Sequence, residues 1–141
     1  MSTSRQLRAI RGAISVERNH AQAIVDATEQ LLAEMLERNK VEPEDVVSII
    51  FTATPDLTAE FPAPAARRLG LSDVPLLCAA EIAVPGALPR CVRVLLHASS
   101  EKGRAQLRHV YLGEARRLRA DLTGDEGQGD VKGHSNPPGE L

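Results

Sequence analysis

Three charged residues sit inside stretches that otherwise read as apolar strands: Arg11 in LRAIRGAIS, Glu81 closing VPLLCAAE, and Arg93 in CVRVLLHAS between Val92 and Val94. Strand side chains alternate faces, so Arg11 shares one side with Leu7, Ala9 and Ala13, while Arg8 lies on the other with Ile10 and Ile14. A charge taken out of water in such a strand needs a partner, because its desolvation is costly when uncompensated. One reading pairs Glu81 with one arginine as a structural ion pair, which still leaves an arginine over. The other brings all three to one pocket, since mixed and parallel sheets gather ligand sites at strand ends. With Arg67 and Arg68 added, the surplus positive charge suits a small molecule bearing more than one carboxylate, which a guanidinium grips bidentately while staying protonated.

Other chemistries lack their residues. His20, His97, His109 and His134 show no metal-ligand spacing with Cys or carboxylates, so no metal and no cofactor is expected. Gly12, Gly70, Gly86 and Gly113 read as isolated turn or bulge residues, in neither a GxGxxG nor a P-loop arrangement. Cys78 has no local signature of a catalytic nucleophile. Tyr111 is the single tyrosine, and it either packs in the core with its hydroxyl satisfied or donates to a ligand. A net charge of -2 and only Phe51, Phe61 and Tyr111 as aromatics give neither a cationic field nor a stacking platform for nucleic acid.

The elements that must position these residues follow from periodicity and turn chemistry. The 141 residues, 43% hydrophobic and 26% charged, suit one domain. Asn19, with Gln22 three residues on, predicts a helix cap; the helix then runs to about Asn39 with Ile24, Ala27, Leu31 and Met35 on one stripe, widened by Leu32 and Leu36. VVSIIFTAT reads as a strand buried on both faces and ending at Thr54. A loop and short helix follow in TPDLTAEFPAPAARRLGL, with Pro62 and Pro64 tolerated in a first helical turn and Gly70 stopping it. VPLLCAAE and CVRVLLHAS are further strands joined by IAVPGALPR, and HVYLGEARRLR is read as a fifth for its β-branched and aromatic start.

The expected fold is therefore α+β, a mixed β-sheet packed with helices in the order β-α-β-α-β-β-β. Residues 1–122 form the domain, and 123–141, with five glycines and two prolines, cannot bury enough to offset ordering entropy and read as a disordered tail. So few large rings limit the core mostly to aliphatics, which favours burial shared between subunits. No run approaches the ~18 apolar residues of a membrane span, and no signal-peptide h-region opens the chain, so a cytoplasmic protein with Cys78 and Cys91 as reduced thiols is expected.

From about Arg8 to Leu122 the sequence resembles the monofunctional chorismate mutases of the trimeric, mixed α/β type. The resemblance is carried by RAIRGAISVERN, PEDVVSIIFTATPDLTAEFPAPAAR, VPLLCAAEIAVPGALPRCVRV and LRHVYLGEARRLRADL together, in the family's order and spacing. It implies a trimeric pseudo-α/β-barrel with sites between neighbouring subunits, and isomerisation of chorismate to prephenate on the route to phenylalanine and tyrosine. It further implies that Arg11 binds a substrate carboxylate, that Arg93 lies against the ether oxygen and a carboxylate, and that Glu81 accepts the ring hydroxyl. Cys78 matches a cysteine close to that hydroxyl, and Tyr111 a tyrosine donating to a carboxylate. From the adjoining subunit, Phe61, Ala63 and Arg67 match the wall and outer cation, and Leu118 an apolar contact. Pro64 stands where many members of that family carry a lysine, a loss expected to weaken outer capture of a dianion and to leave Arg67 or Arg68 to serve, and the tail beyond Leu122 differs in composition from theirs.

The reaction so implied is a concerted [3,3] shift that needs no nucleophile, proton transfer or cofactor, which agrees with the missing motifs. A protein can help by holding the compact reactive conformer and by fixing a cation where the ether oxygen gains charge. A competing reading is a non-catalytic regulatory module that binds a small carboxylate metabolite at subunit clefts. Arg11, Glu81 and Arg93 would serve that equally well.

Overall fold

A computed structural model describes residues 4–118. The expected tail, residues 123–141, and His134 within it lie outside the described residues. Five strands form one mixed sheet: β1 (Gln6–Ser15), β2 (Val46–Ala53), β3 (Leu76–Ala80), β4 (Cys91–Ser100) and β5 (Val110–Leu112), in the spatial order β3-β2-β4-β1-β5. Helix α1 (Ala21–Asn39) links β1 to β2, and the short α2 (Pro64–Arg68) links β2 to β3. Strand β4 runs antiparallel to both β1 and β2, whereas the outer pairs β1–β5 and β2–β3 are parallel. The predicted element order holds.

Helix α1 buries Ile24, Leu31, Leu32 and Met35 completely, as their spacing predicts, against Ile10 and Ile14 of β1, Val92, Val94 and Leu96 of β4, and Phe51 of β2. Between Ile10 and Ile14 the strand carries Gly12, which is no bulge: its pairing with Val94 lies in an unbroken register from Gln6–Ser100 to Ser15–Cys91. The glycine is there for close approach, since a Cβ would meet Met35 Sδ at 2.5 Å and Leu31 Cδ1 at 3.0 Å. Gly70, Gly86 and Gly113 do have the positive φ of turn residues.

Asn19 does not cap α1. His20 occupies the cap position with no side-chain bond, and the Asn19 amide is spent elsewhere, on the loop after β2. At the other end Lys40 adopts the left-handed conformation, φ 54°, and the buried Asn39 amide donates to Met35 and Arg108 carbonyls while accepting the Arg108 N–H. Those bonds fasten the helix end to the segment that leads into β5.

Strand β2 is buried on one face only. Phe51 and Ile49 are sealed under the helix, but Ile50 and Thr52 are half-buried, and Val47, at a bulge between Val46 and Ser48, is 48% exposed. The reason is that both helices lie on one side of the sheet, so among the described residues Leu7 and Leu77 are exposed and Ile50 and Leu95 only half-buried on the opposite side. The ladder reaches Thr54, whose N–H donates to the Cys91 carbonyl, although the strand proper stops at Ala53. The fifth strand is three residues long: Gly113, at φ 62°, ends it, and residues Gly113–Arg117 wind into a 3-10 turn.

Candidate active site

Register places the charged residues on the open face. Thr52 pairs with Ala79 on one side and Arg93 on the other, Arg93 pairs with Ala13, and Ala13 pairs with Tyr111, so one row of side chains crosses all five strands on the side away from α1. Arg11 belongs to the same face, two residues from Ala13, and Glu81 follows Ala79 at the same period just beyond β3. Its backbone N–H still donates to the Ala53 carbonyl, which anchors Glu81 at the sheet margin.

Arg93 and Glu81 form an ion pair, Nε to Oε2 at 3.1 Å, with the side chains only 8% and 14% exposed. Glu81 reaches over β2 to make it, and on the way Oε2 accepts the Thr52 hydroxyl at 2.6 Å. Arg11 lies over the Tyr111 ring, 5.9 Å from its centroid, a cation–π contact that steadies the guanidinium without taking its charge. Its backbone N–H donates to His109 Nδ1, so that histidine is fastened to β1 and joins no metal cluster; none exists among the described residues. Tyr111 is 4% exposed and packs with Ala13, Cys91, Ala115 and Leu118. The structural pairing of Glu81 with one arginine is thus present, and strand register places Arg11, Glu81 and Arg93 on one face of the sheet.

A second group gathers at the β3 edge. Cys78 pairs with Phe51 and so points to the helix side, opposite to Glu81. It shares a cleft of about 400 Å³ with Phe61, Pro62, Thr58 and the Thr54–Pro55 turn, and Phe61 is 67% exposed at its rim. Burial pushes the Cys78 thiol above its ordinary 9.0, opposed by a hydrogen bond from the Ala63 backbone, so at neutral pH the group is a protonated donor. Ala63 precedes Pro64, the first residue of α2, and Arg67 is exposed on that helix.

Arg68 is engaged with α1 through one nitrogen, Nη1. It donates to Asp26 at 2.8 Å and Glu29 at 2.9 Å on α1, and these bonds raise its pKa while the same Arg68 bond lowers that of Asp26. The effect of this clasp is to fix α2, and Asn19 fixes the preceding loop by accepting the Thr58 and Ala59 N–H groups and donating to Thr58 Oγ1.

Arg11, Glu81, Arg93, Tyr111 and Leu118 therefore fall in one group, and Cys78, Phe61, Ala63 and Arg67 in another, with the sheet between Cys78 and Glu81. The grouping differs from the expectation in two places. Cys78 lies with the wall residues, and Leu118 with Tyr111. A smaller cleft of about 230 Å³ includes Glu81 beside Asp56 and the 82–89 loop, but does not bring the two groups together.

Three features carried no sequence signal strong enough to select them. Thr52 looks like any half-buried strand threonine. In TPDL, the Asp56 carboxylate accepts the Thr54 hydroxyl at 2.6 Å and the Arg90 N–H at 3.0 and 3.1 Å. Arg90 is held there at φ 48°, the left-handed region that costs a bulky residue, immediately before the strand that carries Arg93.

Residues 7–122 match the family described as chorismate mutase type I. The chain is 51% identical over 117 residues to chorismate mutase AroH of Thermus thermophilus, covering 82% of this chain and 96% of that protein. Identity to chorismate mutase AroH of Bacillus subtilis (strain 168) is 45% over 118 residues, covering 83% and 93%. A solved chorismate mutase from Clostridium thermocellum superposes with a TM-score of 0.78 at 49% identity, covering 79% of this chain and 99% of that one.

Proposed function

The chain belongs to the type I chorismate mutase family, and from that premise we propose that it is a chorismate mutase whose reaction, chorismate to prephenate, takes place on the open face of the sheet around Arg11, Glu81, Arg93 and Tyr111. The observation that carries this reading is a buried guanidinium, Arg93, oriented by a carboxylate and aligned across the sheet with Tyr111, with Arg11 two residues along the same face. A regulatory module without catalysis is not favoured, because the relatives are named as enzymes.

Chorismate is a dianion whose ring hydroxyl and two carboxylates can be addressed separately. Arg11, steadied on Tyr111, takes one carboxylate, and Tyr111 assists it. Glu81 accepts the ring hydroxyl, which sets the ring in the cleft. Arg93 lies beside the ether oxygen. As the C–O bond lengthens and the new C–C bond forms, negative charge develops on that oxygen, and a cation already in place stabilises the transition state more than the ground state. Holding the substrate folded over itself accounts for the remaining gain, an orientation effect.

The wall residues complete the site from a second copy of the chain. Phe61, Ala63, Arg67 and the Cys78 thiol sit at the β3 edge on the wrong side of their own sheet to meet Glu81, and on the open face, among the described residues, Leu7 and Leu77 are exposed and Ile50 and Leu95 half-buried. A ring of three copies, each offering its β3 edge to the open face of the next, satisfies both facts. Pro64 leaves Arg67 as the outer cation, since Arg68 is committed to α1. We place the enzyme in the cytoplasm, as its relatives' role in small-molecule metabolism suggests; no described helix is long and apolar enough to cross a membrane.

The test is the loss of chorismate absorbance on mixing with purified protein. Arg93→Ala lowers kcat by about a hundredfold or more, the scale of removing one oxyanion-type donor. Near-normal turnover in that variant overturns the assignment. With no acid or base acting, the rate shows no solvent deuterium effect, and a large one would point to a different reaction.

A further inference from the structure

Glu81 is held by a residue to which neither the family resemblance nor the charge pattern drew attention. We propose that Thr52 is a positioning residue for the reaction: its hydroxyl fixes the Glu81 carboxylate so that Oε1 is turned toward the ring hydroxyl of the substrate. The proposal rests on the reading of Glu81 as the acceptor of that hydroxyl.

Glu81 has a flexible side chain and weak backbone support. Its N–H is bonded to Ala53, but the chain then leaves the sheet through the IAVPGALPR loop, so nothing on the C-terminal side prolongs the ladder. An ion pair alone fixes the distance of the carboxylate from Arg93 but leaves it free to turn about the shared oxygen. Strand order supplies the second restraint. Thr52 lies on β2 between the strands of Glu81 and Arg93, directly opposite Arg93 in register, and points to the same face. Its hydroxyl donates to Oε2 at 2.6 Å, the oxygen that also faces Arg93 Nε at 3.1 Å.

A hydroxyl donor from β2 and an ion-pair contact from β4 thus converge on one carboxylate oxygen, and Oε1 takes part in neither contact. The short distance is that of a charge-assisted O–H···O⁻ bond. The neighbouring positions on β2 offer no substitute: Ile50 has no donor, and the Ser48 hydroxyl lies 3.4 Å from His97 Nδ1. Valine would fill the same space and keep the β-branched shape suited to a strand, so the hydroxyl is the part of Thr52 that the site uses.

The experiment compares Thr52→Val, Thr52→Ser, Glu81→Gln and the double variant Thr52→Val/Glu81→Gln, with steady-state kinetics on chorismate and thermal unfolding measured in parallel. Thr52→Val lowers kcat/KM about tenfold or more, as loss of a hydrogen bond to a charged group should, while its melting temperature stays close to that of the parent. Thr52→Ser restores most of the loss. In the Glu81→Gln background the valine substitution changes kcat/KM less than about twofold, because the two residues act as one unit.

If Glu81→Gln alone leaves the rate unchanged, Glu81 is not the acceptor and both readings fall. If Glu81→Gln is damaging while Thr52→Val is silent, or its effect simply adds to that of Glu81→Gln, the positioning role is overturned and the function stands. Should Thr52→Val fail to fold, Thr52→Ala carries the same comparison.

Discussion

At the scale of single residues, the decisive feature is a buried cation set against a carboxylate on the open face of the sheet. Arg93 and Glu81 are both nearly sealed, so removing either leaves a buried charge, which costs about 3–5 kcal/mol in comparable pairs. Glu81→Ala is therefore expected to lower the melting temperature as well as activity, whereas Glu81→Gln, keeping shape and hydrogen-bonding capacity, lowers activity with a smaller loss of stability. Calorimetry on the two variants separates these effects. Cys78 gives a second residue-level test. Because the folded protein holds its thiol pKa above the ordinary 9.0, the unfolded chain ionises first as pH rises. The Cys78 contribution to stability is full below that ordinary value and is lost as pH climbs through the higher folded one. Iodoacetamide at pH 8 should accordingly alkylate Cys78 more slowly in the folded protein than in urea, as mass spectrometry of the Cys78 peptide would show. At this scale much was legible in the sequence: a guanidinium flanked by Val92 and Val94 has to be accounted for wherever it occurs. Thr52 was not, because a strand threonine is ordinary until its hydroxyl is seen to meet a carboxylate from the end of the neighbouring strand.

At the scale of elements, apolar periodicity predicted α1 and the four longer strands, since a stripe at helical spacing and an alternating run each allow one way to bury their apolar side. What the pattern could not supply was the partner of each polar group. Asn19 has the composition of a cap, yet three bonds to Thr58 and Ala59 compete with capping and win. Asn19→Ala should leave the helix in place while loosening the loop that carries Phe61, so substrate KM rises several-fold with far-ultraviolet circular dichroism unchanged. Gly12 was misread for a related reason: sequence shows a missing side chain, but only packing shows what occupies its space. With Met35 and Leu31 both fully buried against it, Gly12→Val is expected to destabilise by about 1–3 kcal/mol through overpacking. Met35→Ala in the same chain should recover part of that loss in chemical denaturation, since it vacates the volume the new side chain needs.

At the scale of the whole molecule, the sheet has one face sealed by α1 and α2 and one face that is apolar at its margins and charged at its centre. The two groups of candidate site residues lie on different sides of that sheet among the described residues, and the proposed site brings them to one substrate by adding a second copy of the chain. Sequence did imply sharing between subunits, through the resemblance and the small aliphatic core, but which residues go with which subunit depends on strand parity. Parity is set by the β2–β3 and β2–β4 registers, where Cys78 pairs with the inward Phe51 while Thr52 pairs with Arg93. That division can be tested directly. Arg93→Ala disables the open face of its own chain, and Arg67→Ala combined with Phe61→Ala disables the β3 edge. Each preparation alone is expected to be nearly inactive. Unfolded together in equal amounts and refolded, the copies assort at random around a closed ring. Each junction that joins an intact open face to an intact β3 edge is a working site, so roughly a quarter of the sites should regain activity in a head-to-tail ring. Recovery would follow only if the ring is built from faces contributed by different copies. A mixture no more active than its parts would mean that each chain completes its own site, and the placement of Cys78, Phe61 and Arg67 across a subunit boundary would have to be abandoned.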